Sequence, residues 1–274
     1  MADLRAAIVT GCSSGIGRAT AAALVNAGFA TWATARQPEQ LEDLAKLGCR
    51  VVHLDVTDER SRTEAVAAVE SECGYVSVLV NNAGFSQPGA IEETSLDLYR
   101  AQFEVNVFSL VRMCQLVLPG MRAAGEGTVI NLGSGAGLVT PPLSSAYAMS
   151  KYSLEALSDA LRFETRRFGV RTVLIQASAV KSSFTDTLVR RTPVPSPNSP
   201  YATATANVLG FARRESAKAA PPERVARVIL RAAQSRNPWA RYKIGSQTRI
   251  TPAVRHLLGD RMWDAVMARL VRSE

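Results

Sequence analysis

The sequence predicts an α/β protein, a doubly wound fold in which helices cover both faces of a parallel sheet of about seven strands. Two observations support this fold class. Short apolar segments alternate with helical patterns along the chain, which is typical of βαβ units. Several of these segments are apolar throughout, as expected where both faces of a sheet are buried. With 274 residues, 47% of them hydrophobic, the chain is long enough for one such domain.

The elements follow from these patterns. The predicted strands are residues 6–10, 30–35, 50–54, 76–81, 128–132, 171–176 and 241–244. The predicted helices are residues 16–27, 38–47, 61–73, 96–123, 145–168 and 221–234. A C-terminal amphipathic helix is also expected, because apolar residues recur there at helical spacing. They are Val254, Leu257, Leu258, Met262, Val266, Met267 and Leu270.

The predicted organisation has two parts. Residues 1–250 would form the cofactor-binding and catalytic domain, and residues 251–274 a helical extension. Within the domain, residues from about 182 to 220 are expected to form a loop over the substrate. Three prolines between residues 191 and 199 disfavour a regular helix or a central strand there.

The net charge of +8 is concentrated near the C-terminus. From residue 181 onward there are 17 lysines and arginines against six acidic residues, a net +11, whereas the first 180 residues carry −3. Such a segment could meet a phosphate-bearing substrate, nucleic acid or an anionic membrane. No nucleic-acid-binding motif accompanies it, so a solvated arginine-rich surface is favoured, with no nucleic-acid partner and membrane contact disfavoured.

The sequence also predicts a cytoplasmic protein without a metal. No apolar stretch approaches the roughly 18 residues of a membrane span, and the first residues do not read as a signal peptide. Four cysteines lack a Cys-x-x-Cys pair, which favours reduced thiols. Two histidines, His53 and His256, give little material for a zinc site or a catalytic triad.

A glycine-rich segment between the first strand and the first helix predicts a dinucleotide site. Gly11, Gly15 and Gly17 permit a tight turn, close approach to a pyrophosphate and close packing of the helix on the strand. The free N–H groups of the helix N-terminus attract phosphate. The intervening Ser13, Ser14 and Ile16 are expected to contact the cofactor as well.

The end of the second strand favours NADP(H). An acidic residue there would bind the ribose 2′-hydroxyl of NAD, but this chain offers Arg36 instead. Arginine suits a 2′-phosphate because its hydrogen bonds to phosphate are charge-assisted. The alternative is that Arg36 points to solvent and the cofactor is NAD.

Tyr147 and Lys151 form a candidate proton-transfer pair. At positions i and i+4 they share one face of the predicted helix. A cation close to a phenol lowers the phenol's pKa, so Tyr147 would exchange protons more readily at neutral pH.

Three more motifs accompany these features: Asn81-Asn-Ala-Gly84, the pair Asp55-Val56, and Asn106 in Phe103-Glu-Val-Asn-Val. Ser134 also lies thirteen residues before Tyr147. With these motifs, in this order and at this spacing, the chain resembles a classical short-chain dehydrogenase/reductase over nearly its whole length, and most closely the steroid- and retinol-dehydrogenase-like carbonyl reductases.

The resemblance implies a Rossmann fold and assigns roles to residues. Tyr147 would supply the proton, Lys151 would lower its pKa and hold the nicotinamide ribose, and Ser134 would orient the substrate oxygen. Asn106 would hold a water in a proton relay. The remaining implied cofactor contacts are Asp55, Val56, Asn82, Ala83, Gly84, Val180 and Ser182. Besides Ser134 and Tyr147, the expected substrate contacts are Phe85, Leu143 and Phe184.

The implied function is interconversion of a ketone or aldehyde and an alcohol by hydride transfer, on a lipophilic small molecule. The alternatives are an NAD-dependent alcohol dehydrogenase and a non-catalytic dinucleotide-sensing or scaffold protein. The resemblance also implies a homodimer or homotetramer built through helices 96–123 and 145–168. One departure stands out: Ala177-Ser178 replace the family's Pro-Gly.

Overall fold

Seven parallel strands form the sheet of this computed structural model, in which residues 5–194, 196 and 198–271 are described. In chain order they are β1 (Ala6–Val9), β2 (Ala30–Ala35), β3 (Arg50–His53), β4 (Val78–Asn81), β5 (Gly127–Leu132), β6 (Val170–Ala177) and β7 (Arg241–Ile244). Across the sheet the order is β3-β2-β1-β4-β5-β6-β7, and every neighbouring pair is parallel. The predicted sheet is confirmed, and each strand ends within two residues of the expected position.

Helices connect the strands. In chain order they are α1 (Gly15–Asn26), α2 (Glu42–Lys46), α3 (Glu59–Cys73), α4 (Leu96–Phe103), α5 (Ser109–Ala124), α6 (Ser145–Thr165), α7 (Phe184–Arg191), α8 (Ala202–Ala217), α9 (Pro222–Gln234) and α10 (Ser246–Val271). N-cap residues determine where some helices begin. At the start of α3, the Asp58 carboxylate accepts the Ser61 N–H. No described helix has the length and apolar content needed to cross a membrane.

Both faces of the sheet are buried, as the apolar strands predicted. Ala7 and Val9 of β1 lie in an apolar layer with residues of α1, α2 and α9. Ala6 and Ile8 of the same strand lie in a second layer with residues of α3, α5 and α6. Because successive side chains of a strand point to opposite faces, a strand between two such layers must be apolar throughout.

The topology places the candidate site at one edge of the sheet. The strand order reverses direction between β1 and β4, and ligands of doubly wound folds bind at the carboxyl ends of strands beside such a reversal. Gly11 follows β1, Asn82 follows β4 and Ser134 follows β5. The fold therefore brings the predicted motifs to one edge.

The segment from residue 182 to 220 differs from the expected loop, because α7 and α8 make most of it helical. The proline-rich stretch separates these two helices, and Pro195 and Pro197 lie outside the described residues. α8 begins with Ala-Thr-Ala-Thr-Ala, and alanine is the strongest helix former, so its local sequence is compatible with a helix. Its role as a cover over a substrate stays a prediction.

The C-terminal helix also differs from expectation. α10 begins at Ser246, before the predicted extension, and bends at Gly259, whose φ is 64°. The expected single apolar stripe is wrong, because the bend distributes its members over different sides. Leu257 and Met262 are exposed, whereas Leu258 is half-buried. The side chain of Leu270 lies outside the described residues, and a division of the chain at residue 250 stays a prediction.

Candidate active site

The glycine-rich loop after β1 is fastened to the loop after β4. The Thr10 hydroxyl oxygen accepts the N–H groups of Asn82 and Ala83, both at 2.9 Å. The Asn82 side-chain amide donates to the carbonyls of Thr10 at 2.8 Å and of Gly11 at 3.0 Å. The first two predicted cofactor motifs therefore form one hydrogen-bonded unit.

The packing at Gly17 leaves no space for a side chain. A Cβ atom there would overlap the carbonyl oxygen of Gly11 and the side-chain nitrogen of Asn82. Because Gly17 has no side chain, α1 can start directly beneath the loop. The N-cap residue Ser14 makes no side-chain capping bond, so the first N–H groups of α1 keep their capacity to bind an anion. This arrangement fits the pyrophosphate of a dinucleotide.

A cavity of about 380 Å³ lies beside this loop at the end of β2. Its lining residues are Ser13, Ala35, Arg36, Gln37 and Gln40. Arg36 is exposed at the end of β2, the strand end that contacts the adenosine ribose in doubly wound folds. Burial opposes ionisation of Asp55, yet hydrogen bonds from Thr57 and the charge of Arg36 hold the pKa of Asp55 below its usual value. The residues present fit the adenosine end of a nicotinamide dinucleotide.

Three predicted catalytic residues meet at the carboxyl end of β5. Tyr147 lies in the first turn of α6, and Ser134, which follows β5, lies close enough to its hydroxyl to lower the pKa of the phenol. The Lys151 ammonium, one turn further along α6, lies 5.7 Å from the centroid of the Tyr147 ring. It donates to the carbonyl oxygen of Leu132 at 2.7 Å. The phenol thus has a hydroxyl on one side and a buried cation nearby.

The pKa values of this pair differ from expectation. Burial raises the pKa of Tyr147 to about 12, although the hydrogen bond with Ser134 acts in the opposite direction. Burial also lowers the pKa of Lys151 to about 8. The expected lowering of the Tyr147 pKa by Lys151 is therefore wrong for this arrangement, in which removal from water outweighs the nearby cation. At neutral pH the phenol keeps its proton and can donate it.

The lowered pKa of Lys151 predicts a pH-dependent stability. The folded value of about 8 lies below the reference value of 10.5, so between these pH values the unfolded chain binds more protons. Stability therefore rises as the pH increases through this window. Replacing Lys151 with Met should remove this pH-dependent rise in the free energy of unfolding, which is on the order of 3 kcal/mol. Urea unfolding at several pH values from 7 to 10 measures it, with exposed Lys46→Met as control. Equal pH slopes in wild type and Lys151→Met would contradict this prediction.

Asn106 lies in a π-helical turn, Glu104–Phe108, which divides the predicted helix 96–123 into α4 and α5. Its side-chain oxygen accepts the Phe85 N–H at 3.1 Å. Its amide nitrogen donates to the Phe85 carbonyl at 3.0 Å and to the Ser150 hydroxyl at 3.2 Å. π turns occur frequently at functional sites. Asn106 therefore links the loop after β4 to α6, and its role in a water relay stays a prediction.

Of the apolar residues predicted for the substrate, Phe184 packs directly against the pair. The rings of Phe184, from α7, and Tyr147 lie 5.8 Å apart between centroids. Phe85 is buried, and Leu143 has a positive φ of 53°, with its carbonyl accepting the Gly89 N–H at 2.9 Å. Such a backbone conformation in a non-glycine residue is uncommon and concentrates at functional sites.

Sequence reasoning missed two residues at this site. The Arg191 guanidinium lies over the Phe85 ring at 3.9 Å, and the buried Gln87 donates to the Arg191 carbonyl at 2.9 Å. These contacts fasten the end of α7 to the loop after β4. No spacing pattern connects residues about a hundred positions apart, so the sequence held no indication of them.

The departure at Ala177-Ser178 is accommodated without strain. Ala177 pairs with Ile244 in the sheet, and the Ser178 N–H donates to the Ile244 carbonyl at 3.0 Å. Among the described non-glycine residues only Leu143 has a positive φ, so the backbone at Ser178 does not require glycine. Further on, the Ser182 hydroxyl accepts the Phe184 N–H at 3.3 Å, and Val180 forms a bridge with Ala220.

Comparison with known proteins agrees with this geometry. A family model described as short chain dehydrogenase matches residues 5–192. The chain is 33% identical to the 3-ketodihydrosphingosine reductase of Bacteroides thetaiotaomicron, over 87% of each chain. It is 31% identical to the NADPH-dependent 3-dehydrocapnine reductase of Ornithobacterium rhinotracheale, over 96% of each.

A solved structure extends the similarity to three dimensions. The crystal structure of a short-chain dehydrogenase from Streptomyces avermitilis has a TM-score of 0.79 and 33% sequence identity, covering 98% of this chain and 96% of that one. The expected Rossmann-type fold is thereby confirmed. Together with the match over most of its length, this shows that the chain belongs to the short-chain dehydrogenase/reductase family.

Proposed function

We propose that this oxidoreductase uses NADP(H) to interconvert a lipophilic ketone and its alcohol, with reduction as the favoured direction. The observation that carries the proposal is that Ser134, Tyr147 and the buried ammonium of Lys151 lie together at the carboxyl end of β5. Two hydroxyl donors at one point suit a carbonyl oxygen that gains negative charge.

Each residue of the site has a separate role in the reduction of the carbonyl group. NADPH, when bound, supplies the hydride that reduces the carbonyl carbon. Ser134 orients the substrate oxygen, and Tyr147 gives its phenolic proton to that oxygen as the C–O π electrons move onto it. The Lys151 ammonium stabilises the phenolate left behind, and a proton from solvent then restores the phenol. We assign Asn106 to positioning that return path, through its links to Phe85 and Ser150.

Preference for NADP(H) over NAD(H) is supported by Arg36 and by the absence of an acidic residue at the end of β2. The adjoining cavity is lined by Ser13, Gln37 and Gln40 as well, so neutral donors surround the guanidinium. A relative 31% identical to this chain is, by name, NADPH-dependent.

Replacing Arg36 with Ala should weaken NADPH binding and leave NADH binding nearly unchanged. The guanidinium would bond only the 2′-phosphate, and a hydrogen bond to a charged group is worth about 1.5–3 kcal/mol, or about 10- to 150-fold in Kd. Fluorescence titration of wild type and variant with NADPH and with NADH measures the change in Kd for each cofactor. Arg60→Ala, at an exposed arginine of α3 that pairs with Glu64, is the control and should leave the binding of both cofactors unchanged. Equal effects of Arg36→Ala on both cofactors would refute the assignment.

A lipophilic substrate is supported by the apolar surroundings of Tyr147. The Phe184 ring packs against the Tyr147 ring, and Phe85 is buried in the loop after β4. One relative is, by name, a 3-ketodihydrosphingosine reductase and another a 3-dehydrocapnine reductase. Ketones of increasing alkyl chain length, tested by NADPH oxidation, should show kcat/KM rising with length.

The alternatives give different results in the same assay. An NAD-dependent alcohol dehydrogenase would turn over with NADH and not with NADPH. A dinucleotide-sensing or scaffold protein would bind NADPH and oxidise none of it with any ketone. Either outcome would replace the function proposed here.

We further propose a homodimer or homotetramer built through α5 and α6. Large apolar side chains on and beside these helices are exposed: Phe108, Met149, Tyr152 and Phe163. Met149, Tyr152 and Phe163 share one side of α6 by their spacing. Exposed apolar patches of this kind mark interaction sites. Light scattering during gel filtration measures the assembly.

A cytoplasmic location is part of the same proposal. The four cysteines are free, and three of them, Cys12, Cys49 and Cys114, are buried. Unpaired thiols are typical of a reducing compartment.

A further inference from the structure

The helix α10 presents a row of apolar side chains to solvent. The row, called here the C-terminal apolar row, consists of Ile250, Val254 and Leu257, which precede the bend at Gly259. Spacings of four and three residues place these members on one side of the helix. Leu257 is 82% exposed. After the bend, Met262 and Val266 are exposed as well, Met262 to 60%.

The opposite side of α10 is fastened to the domain. Thr248 is buried and lies nine residues before Leu257, so it is on the far side of the helix from it. The Gln247 amide donates to the Glu215 carboxylate of α8 at 2.6 Å, and beyond the bend Trp263 is buried. The helix is therefore held in place on one side and open on the other. Exposed apolar patches rimmed by polar residues mark interaction surfaces, whereas singly scattered apolar residues do not.

Positive charge accompanies the apolar row. Arg249, Arg261 and Arg269 are exposed on α10. Of the two acidic residues in the helix, Asp260 pairs with Arg255. The other, Asp264, lies two residues after Met262 and so on the far side of the helix from it.

The positive charge indicates which kind of partner would bind the apolar row. The segment from residue 181 onward has a net charge of +11 and the whole chain +8. A second copy of this chain would bring the same sign of charge to the contact, which disfavours it. An anionic surface with an apolar interior is complementary to both features.

We propose that α10 binds the surface of an anionic membrane, with the C-terminal apolar row between the headgroups and the arginines on lipid phosphates. The sequence alone disfavoured membrane contact, because it does not show which apolar residues of this helix stay exposed. The proposal does not depend on the cofactor or the substrate. It does place the active site close to the lipid, because Thr248 lies against Gly135, the neighbour of Ser134.

Co-sedimentation with lipid vesicles tests the proposal on the full chain. Wild-type protein should bind vesicles that contain phosphatidylglycerol, bind phosphatidylcholine vesicles much less, and lose binding as salt is added. Leu257→Glu should lower the partition coefficient about tenfold or more, because it removes a buried leucine and adds an anion. Arg261→Gln should lower it about fivefold.

Leu47→Glu, at an exposed leucine beyond α2, is the matched control and should bind like wild type. Urea unfolding of each variant separates lost binding from lost folding. Failure of the wild type to bind anionic vesicles overturns the proposal, as does unchanged binding by Leu257→Glu. A third outcome is that the wild type forms an oligomer and does not bind vesicles, while Leu257→Glu dissociates that oligomer. This outcome would assign the row to a contact with a second copy of the chain and would also overturn the proposal.

Discussion

Replacing Tyr147 with Phe is expected to reduce kcat/KM by about 10²- to 10⁴-fold, the range that a general acid contributes. The substitution removes one oxygen atom and keeps the ring that packs against Phe184 at 5.8 Å between centroids. The pKa of about 12 means that this oxygen carries a proton at neutral pH, so the lost group is a proton donor. Steady-state NADPH oxidation with a ketone measures the loss.

Two measurements make the result specific to the phenolic hydroxyl. NADPH affinity, from fluorescence titration, should stay unchanged in Tyr147→Phe, because the glycine-rich loop and Arg36 are untouched. Tyr152→Phe removes a hydroxyl from an exposed tyrosine of the same helix and should leave kcat/KM as in wild type. Substantial turnover by Tyr147→Phe would exclude Tyr147 as the proton donor.

Replacing Gly17 with Ala is expected to raise the Kd for NADPH by about 5- to 150-fold, because overpacking costs about 1–3 kcal/mol. The added methyl group would overlap the Gly11 carbonyl oxygen and the Asn82 side-chain nitrogen. Neither atom can yield freely, since the two are hydrogen-bonded to each other at 3.0 Å. The loop must shift, and its N–H groups then leave the positions that suit a pyrophosphate.

Gly210→Ala is the matched control for this substitution. Gly210 lies within α8, where the nearest atom to an added Cβ is the Arg214 side chain at 3.5 Å, an ordinary contact. Alanine there should leave NADPH binding unchanged and stabilise the fold by up to about 1 kcal/mol. Urea unfolding of both variants establishes that each is folded before titration. NADPH binding by Gly17→Ala equal to wild type would show that the loop tolerates a side chain.

Much of the fold could be predicted because its causes are local. The strands carry apolar residues on both faces. A helix start can be recognised by its N-cap residue, such as Asp58 before α3. Gly11 and Arg36 could be placed because each follows a strand, and parallel strands bring their carboxyl ends to one edge. Ser134 and Tyr147 followed from a spacing that is informative only within the family.

The features that escaped prediction depend on contacts between distant residues. The Arg191 guanidinium lies over the Phe85 ring, more than a hundred positions away in the chain. The pKa of Tyr147 was expected to fall because the sequence shows the nearby lysine but not the burial of both groups. The exposed side of α10 could not be distinguished from its packed side, because both carry apolar residues and the bend at Gly259 shifts their phase.

The π turn at Glu104–Phe108 has a consequence for how Asn106 is held. A π turn contains one residue more than an α-helix needs for the same rotation, so removal of a single residue there would allow a regular helix. The orientation of Asn106 toward Phe85 and Ser150 is therefore set by the number of residues in the turn and not only by their identity. Exchange of side chains one at a time would not reveal this dependence, whereas a change of length by one residue would rotate everything that precedes the turn relative to α5.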